Sequence, residues 1–202
     1  MRKIVFATNN AHKLEEVQAI LGEDFQIATP RGCGINEEIP EEHPTLEGNA
    51  LQKARYIHER TGLDCFADDT GLEVEALDGA PGVRSARYAG EGHDSRANMA
   101  LLLKNMESVP DAQRGARFRT VIALILEGRE YLFEGEIRGT IAREPAGNHG
   151  FGYDPVFRPD GYGITFAEME AAEKNRVSHR ARAVARLAAF LKSLPQLPLN
   201  HS

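Results

Sequence analysis

The sequence is short of several things, and each shortage closes off a class of protein. It has two cysteines, Cys33 and Cys65, far apart and in no C-x-x-C pair. Neither a zinc centre nor a disulfide framework is expected, and reduced thiols fit a cytoplasmic setting. Long apolar runs are missing. Met1-Arg2-Lys3-Ile4-Val5-Phe6-Ala7-Thr8 starts basic but returns to polar residues after four apolar positions, which predicts neither a secretory leader nor a membrane span. Positive charge is not in excess, since the formal net charge is −6. That is the wrong sign for a protein whose main task is gripping duplex nucleic acid. The G-x-x-x-x-G-K-[ST] loop is absent, as are internal repeats, linkers and low-complexity stretches.

What is present suits one domain, or a single two-lobed one over residues 1–202. A chain of this length buries roughly 70% of its unfolded surface, so it can build a core without staples. Charge is unevenly spread. Glu37, Glu38, Glu41, Glu42 and Glu47 crowd one region, whereas Lys174, Arg176, Arg180, Arg182, Arg186 and Lys192 follow with no further acid. An acidic chain with a local basic patch suits a small polyanion carried with a divalent ion.

Ile4-Val5-Phe6-Ala7 reads as a buried first strand. It leads through Thr8-Asn9-Asn10-Ala11-His12-Lys13 into a helix with Leu14, Val17 and Leu21 on one face and a stop at Gly22. Strand, polar turn and helix N-terminus make an anion site, with Asn9 or Asn10 as N-cap; the plainer reading is a capped helix with a surface lysine. Residues 28–44 read as a loop. Thr45 then caps a helix to Arg60, with Leu46, Ala50, Ala54 and Ile57 as its apolar stripe. Asn49 and Lys53 lie off that stripe, where a lysine is ordinarily solvated. Residues 78–88 specify a tight turn, and Ser95 can cap a helix to Val109 buried through Met99, Leu102, Leu103 and Met106. Phe118 to Leu126, a turn at Glu127-Gly128-Arg129-Glu130 and a return through Tyr131, Phe133 and Ile137 predict an antiparallel hairpin. The fold is therefore mixed α/β rather than an all-parallel doubly wound sheet.

In the glycine-rich loop 143–155, Phe151 and Tyr153 can form a stacking platform or simply lid the core. Thr165-Phe166-Ala167-Glu168 is a capping box opening a short helix. Ser178 caps a last helix with Ala181, Val184, Leu187, Ala188 and Leu191 apolar. Lys174, His179 and Arg180 gather where these two helices meet, Arg182 and Arg186 continue along a solvated face, and the tail after Leu194 is loose.

At the centre, Cys65-Phe66-Ala67-Asp68-Asp69-Thr70-Gly71-Leu72-Glu73-Val74-Glu75-Ala76-Leu77 reads as a strand, a turn with two adjacent carboxylates, and a second strand alternating at Leu72, Val74 and Ala76. Two desolvated carboxylates need partners for both charges, or they hold a metal ion. Glu41, Asp68 and Asp69 can hold Mg²⁺, which prefers oxygen ligands. Lys13, Lys53 and a helix N-terminus can hold phosphates, and an aromatic loop followed by Lys174, His179 and Arg180 can hold a base. Together these describe a nucleotide site.

Seven stretches follow one pattern in order: Thr8 to Lys13, Asn49-Ala50-Leu51-Gln52-Lys53-Ala54, Ala67-Asp68-Asp69-Thr70-Gly71-Leu72, Gly79-Ala80-Pro81-Gly82-Val83, Ser85-Ala86-Arg87-Tyr88, Phe151-Gly152-Tyr153-Asp154-Pro155 and Ser178-His179-Arg180. From Ile4 to about Leu191 the chain resembles the inosine triphosphate/xanthosine triphosphate pyrophosphatase family. The resemblance implies an elongated, twisted mixed sheet with flanking helices, its two lobes flanking a central cleft. It implies Mg²⁺-dependent hydrolysis of ITP, dITP and XTP to monophosphate and pyrophosphate by a cytoplasmic homodimer. Thr8, Asn9, Asn10, Ala11, His12, Lys13 and Lys53 would take the triphosphate. Asp69 would be general base and metal ligand, with Glu41, in preference to Glu42, as second ligand and Asp68 as an auxiliary partner. Thr70 would touch substrate, and Phe151, Gly152, Tyr153, Asp154, Lys174, His179 and Arg180 would form the base pocket. Two departures stand out: Thr70 replaces a frequent Ser, and Ile39-Pro40-Glu41-Glu42-His43-Pro44 lacks the Thr-Gly that often follows the metal-binding glutamate. A haloacid-dehalogenase-type phosphohydrolase would use D-x-D-x-[TV], whereas the acids here are adjacent. A non-catalytic nucleotide- or RNA-binding module sits poorly with the net acidity.

Overall fold

A computed structural model describes residues 2–194; the tail expected to be loose after Leu194 lies outside the described residues. Strand β1 (Arg2–Phe6) is apolar on both faces because it is covered on both: Ile4, Val5 and Phe6 are buried. It pairs in parallel with β2 (Phe25–Ala28) on one side and with the start of β3 (Cys65–Val74) on the other. Beyond β3 the sheet becomes antiparallel, through β5 (Gly115–Leu126), β6 (Arg129–Ile141) and β7 (Phe157–Pro159), while the short β4 (Pro81–Gly82) adds to β3. The path is β2-β1-β3-β5-β6-β7. The expected hairpin is β5–β6. Its loop is the two residues Glu127 and Gly128, both at positive φ (49° and 75°), the backbone that a tight twist-matched turn demands.

Helices α1 (Ala11–Leu21) and α5 (His179–Ser193) cover one face, where Ile4, Phe6, Val17, Phe66, Val184 and Leu187 pack. Helix α2 (Leu46–Thr61) covers the other through Ala50, Ala54 and Ile57 against Val5, Ala67 and Ala123. A third cluster, with Leu72, Phe118, Ile137, Phe157 and Phe166, fills the far half of the sheet beneath α3 (Ser95–Asn105). The short α4 (Ala171–Val177) leads into α5. The fold is thus mixed α/β with a sheet flanked by helices, and β3 and β5 run through all three clusters.

Several elements depart from expectation. The central stretch is one strand, not two: β3 keeps register with β5 from Cys65↔Ile125 to Val74↔Ala116 with no turn at the aspartates. Ala76 falls beyond it, exposed in a turn of 3-10 helix (Glu75–Leu77). Strands β2 and β7 were not expected, being four and three residues long. Helix α3 is capped by Asp94, whose carboxylate accepts the N–H groups of Arg96 and Ala97, and it ends at Asn105 rather than Val109. The Thr165–Glu168 capping box forms but opens only a 3-10 turn. Among the described residues no helix is long and apolar enough to cross a membrane.

Candidate active site

Unbroken alternation along β3 sends Asp68 and Asp69 to opposite faces of the sheet. Asp69 faces α2. Asn49 Nδ2 donates to its Oδ2 at 3.2 Å, and Lys53 Nζ stands 3.8 Å from its Oδ1. Asn49 and Lys53 are four residues apart and share a flank of α2. The lysine is therefore not solvated as its position off the apolar stripe suggested; it is 5% exposed. Its ammonium donates to Glu41 Oε1 at 2.5 Å and to the Asp68 carbonyl at 2.6 Å. Arg87 Nη2 holds the Glu41 backbone oxygen at 3.0 Å. Glu42 turns away and accepts from Gln52 Nε2.

These contacts sort the charges. Burial pushes the Asp69 carboxyl above its ordinary pKa, and the Lys53 and Lys13 charges do not cancel the effect. Burial would raise Glu41 too, but Lys53, helped by Lys13 and Arg87, holds that carboxyl below the usual range. Lys53 itself, against the pull of burial, is kept protonated by Asp69 and Glu41.

Asp68 faces α1 and α5, with Oδ1 accepting Lys13 Nζ at 3.0 Å and Oδ2 accepting Arg180 Nε at 3.1 Å. Lys13 lies in the first turn of α1, where Asn10 Oδ1 accepts the N–H groups of His12 and Lys13, and Thr8 Oγ1 accepts that of Asn10. Asn10, not Asn9, is the cap. The positive end of this helix opens on the same space as Lys53 and Asp69.

At the other end, Ser178 caps α5 and sets His179 and Arg180 in its first turn. Lys174 Nζ sits between Glu16 Oε1 and Asp154 Oδ2, 2.6 Å from each. Arg180 donates through Nη1 to Glu16 Oε2 at 2.5 Å and through Nη2 to Thr70 Oγ1 at 3.2 Å. The half-buried Phe151 ring has Lys174 Nζ 5.1 Å and the Arg180 guanidinium 5.5 Å from its centroid, and it stacks on His12 at 5.2 Å. His179 stacks on Phe118 at 4.5 Å; burial, Arg180 and Lys174 hold it neutral, far below the usual histidine range. Its Nδ1 is the buried side-chain polar atom left without a partner among the described residues.

Both ends open on one cavity of about 700 Å³. Of the expected site residues, Thr8, Asn9, Asn10, Lys13, Glu41, Lys53, Asp69, Thr70, Phe151, Gly152, Tyr153, Asp154, Lys174, His179 and Arg180 line it. Ala11 and His12 do not; both are exposed, with His12 reaching the rim through Phe151.

The Ham1 family profile matches residues 4–190. The chain belongs to the Ham1 family. A relative from Porphyromonas gingivalis, named dITP/XTP pyrophosphatase, is 56% identical over 191 residues, covering 95% of this chain and 98% of that protein. One of the same name from Flavobacterium psychrophilum is 47% identical over 191 residues, covering 95% and 100%. The solved structure of a HAM1 protein from Coxiella burnetii matches with a TM-score of 0.87 at 37% identity, covering 96% of this chain and all of that one.

Within this Ham1 fold, some side chains at the site had little signal in the sequence. Glu16 clamps both Lys174 and Arg180, and their charges hold it below the usual range although burial opposes them. Its one trace was the three-residue spacing from Lys13, which puts both on one helix face. Tyr153 is no second stacking ring: it is buried in the far cluster and its hydroxyl donates to the Ser85 carbonyl at 2.7 Å. Asp154 accepts Lys174 and the Phe151 N–H, and burial pushes its carboxyl up. Arg182 and Arg186 are exposed as expected, yet their guanidinium groups donate to the β6 carbonyls of Glu136 and Glu134. No cluster of three or more His, Cys, Asp or Glu able to hold a metal occurs among the described residues. Two of the carboxylates lining the cavity, Glu41 and Asp69, are bridged by the Lys53 ammonium. That set suits an ion such as Mg²⁺, which takes one or two carboxylates and completes its shell with water and phosphate.

Proposed function

We propose that this Ham1 protein is a Mg²⁺-dependent pyrophosphatase of deaminated purine nucleoside triphosphates, splitting ITP, dITP or XTP into monophosphate and pyrophosphate. The observation that carries the reading is the two-ended cavity. Carboxylates and cations for a triphosphate occupy one end, and an aromatic ring with buried donors for a base occupies the other. Its volume suits one nucleotide, and the relatives named dITP/XTP pyrophosphatase support pyrophosphate release from such substrates.

Lys13 and the N-terminal turn of α1 receive the triphosphate, and Lys53 moves its ammonium from Glu41 to phosphate oxygens. Glu41 and Asp69 would hold the Mg²⁺, which would neutralise phosphate charge when bound with substrate. Asp69 receives a proton from the water that attacks the α-phosphorus in line, and pyrophosphate leaves. Most of the gain in such transfers is positioning and charge stabilisation. At the base end Lys174 and Arg180 present donors to the 6-oxo group. Adenine's 6-amino group would face donor to donor there, the kind of mismatch that discriminates strongly. We read the enzyme as one two-lobed cytoplasmic domain acting as a homodimer, with no nucleic-acid or membrane partner. Light scattering tests the dimer.

The decisive assay is a panel of ITP, dITP, XTP, GTP and ATP with Mg²⁺, scoring pyrophosphate against orthophosphate. Pyrophosphate from the deaminated purines supports the reading. Equal turnover of ATP, orthophosphate as first product, or RNA binding without turnover overturns it. Asp69→Asn should retain nucleotide and lose turnover by about 10²-fold or more.

A further inference from the structure

We propose that Asp68 is a positioning residue that ties Lys13, at the triphosphate end, to Arg180, at the base end, and is not a metal ligand. The inference rests on the proposed function for the meaning of the two ends. Asp68 is 1% exposed and does not line the cavity, and its carboxylate lies across the sheet from Glu41 and Asp69. Both its oxygens are used. Oδ1 takes Lys13 from α1, and Oδ2 takes Arg180 from α5. One buried carboxylate therefore sits between two cations that would otherwise repel, on two helices far apart in sequence.

The two tethers are unequal. Arg180 keeps Glu16 and Thr70 as further acceptors, whereas Asp68 is the acceptor recorded for the Lys13 ammonium. When a triphosphate draws Lys13 toward its phosphates, Asp68 loses one of its two hydrogen-bonded cations and its grip on Arg180 tightens. Filling one end of the cavity then sharpens the donor at the other. A carboxylate is required for this. An asparagine keeps the shape but has one acceptor oxygen, and its amide N–H₂ would face the second cation.

Asp68→Asn is tested with a melt to confirm folding. The expected result is a KM for ITP raised about ten- to hundredfold, the loss of one charged hydrogen bond. Preference for ITP over ATP should shrink about tenfold, while Mn²⁺ affinity, read by electron paramagnetic resonance with pyrophosphate present, stays within about twofold. A fall in Mn²⁺ affinity of tenfold or more would make Asp68 a ligand, and an unchanged KM and base preference would remove it from positioning. A second measurement needs no Asp68 variant: inorganic pyrophosphate alone, added to wild-type protein, should shift the Arg180 Nε–H resonance, and Lys13→Met should abolish that shift. An Arg180 signal that ignores pyrophosphate overturns the tie. This readout stands even if the wild type fails to hydrolyse deaminated triphosphates, so the two failures are distinguishable.

Discussion

Replacing Lys53 with methionine keeps most of the side chain's length and removes the cation between Glu41 and Asp69. The ammonium lies 2.5 Å from Glu41 and 3.8 Å from Asp69, in a side chain only 6% exposed. Breaking a buried ion pair by deleting one partner costs about 3–5 kcal/mol. Glu41 keeps 28% of its side chain in water, which points to the lower end, ~3 kcal/mol. For a domain of this length each kcal/mol moves Tm by about 2–4 °C, so the variant should melt about 6–12 °C lower at pH 8.

The pH dependence carries the sharper test. Glu41 is held below its unfolded pKa, so its stabilisation is present above the ordinary value of about 4.3 and is lost as pH falls through the lower folded value. Lys53 is raised, so its share is complete below its unfolded pKa of about 10.4 and is lost as pH rises through the raised folded value. The gap between wild type and Lys53→Met should therefore be full at about pH 8 and narrow in acid, as Glu41 and Asp69 protonate in the variant that lacks their shared countercharge. Urea melts of metal-free protein, followed by circular dichroism across that range, measure it. A difference under about 1 kcal/mol at pH 8, or one of equal size at pH 3.5, would refute the reasoning.

Three further outcomes are expected. In metal-free protein, carboxyl-carbon NMR should find the adjacent Asp68 and Asp69 titrating on opposite sides of about 3.9. Asp68 should lie below, because Lys13 and Arg180 overcome the effect of its burial, and Asp69 above, because burial prevails. Arg114, 4% exposed, donates to the carbonyls of Ile141, Met106, Val109 and Ala142. Arg114→Met orphans several of them and should cost about 2–4 kcal/mol in a denaturant melt, with the KM for ITP unchanged. At Gly135 an added Cβ would meet the His179 carbonyl oxygen at 2.2 Å and the Ala183 nitrogen at 2.4 Å. Gly135→Ala should push α5 off β6, lower stability by about 1–3 kcal/mol and raise the KM for ITP through His179 and Arg180.

Much of the scaffold could be read from the chain because its cause is local. The caps at Thr45 and Ser178, the β5–β6 hairpin, and the apolar stripes of α1, α2 and α5 each follow from spacing within a few residues. Strands β2 and β7 could not be read that way. Four and three residues carry little periodic signal, and each exists because a neighbouring strand offers it an edge. The same limit produced the wrong turn at Asp68-Asp69. Two adjacent charges look like a turn to any local reading, yet partners from α1, α2 and α5 let both stay in a buried strand.

The sequence by itself determined which groups exist: the carboxylates, the cations, the aromatic loop and the order of motifs that marks the family. Only the tertiary structure decided how they are shared out. It sent Asp69 toward Lys53 and Glu41 and Asp68 toward Lys13 and Arg180, turned Glu42 outward, and buried Tyr153 while leaving Phe151 beside the cavity. It also brought in Glu16, 158 residues before Lys174, as the clamp on the base end. The physical reason is range. Alternation along a strand or helix is written into neighbouring residues, but the countercharge that makes a buried carboxylate tolerable comes from whichever helix the fold lays against it.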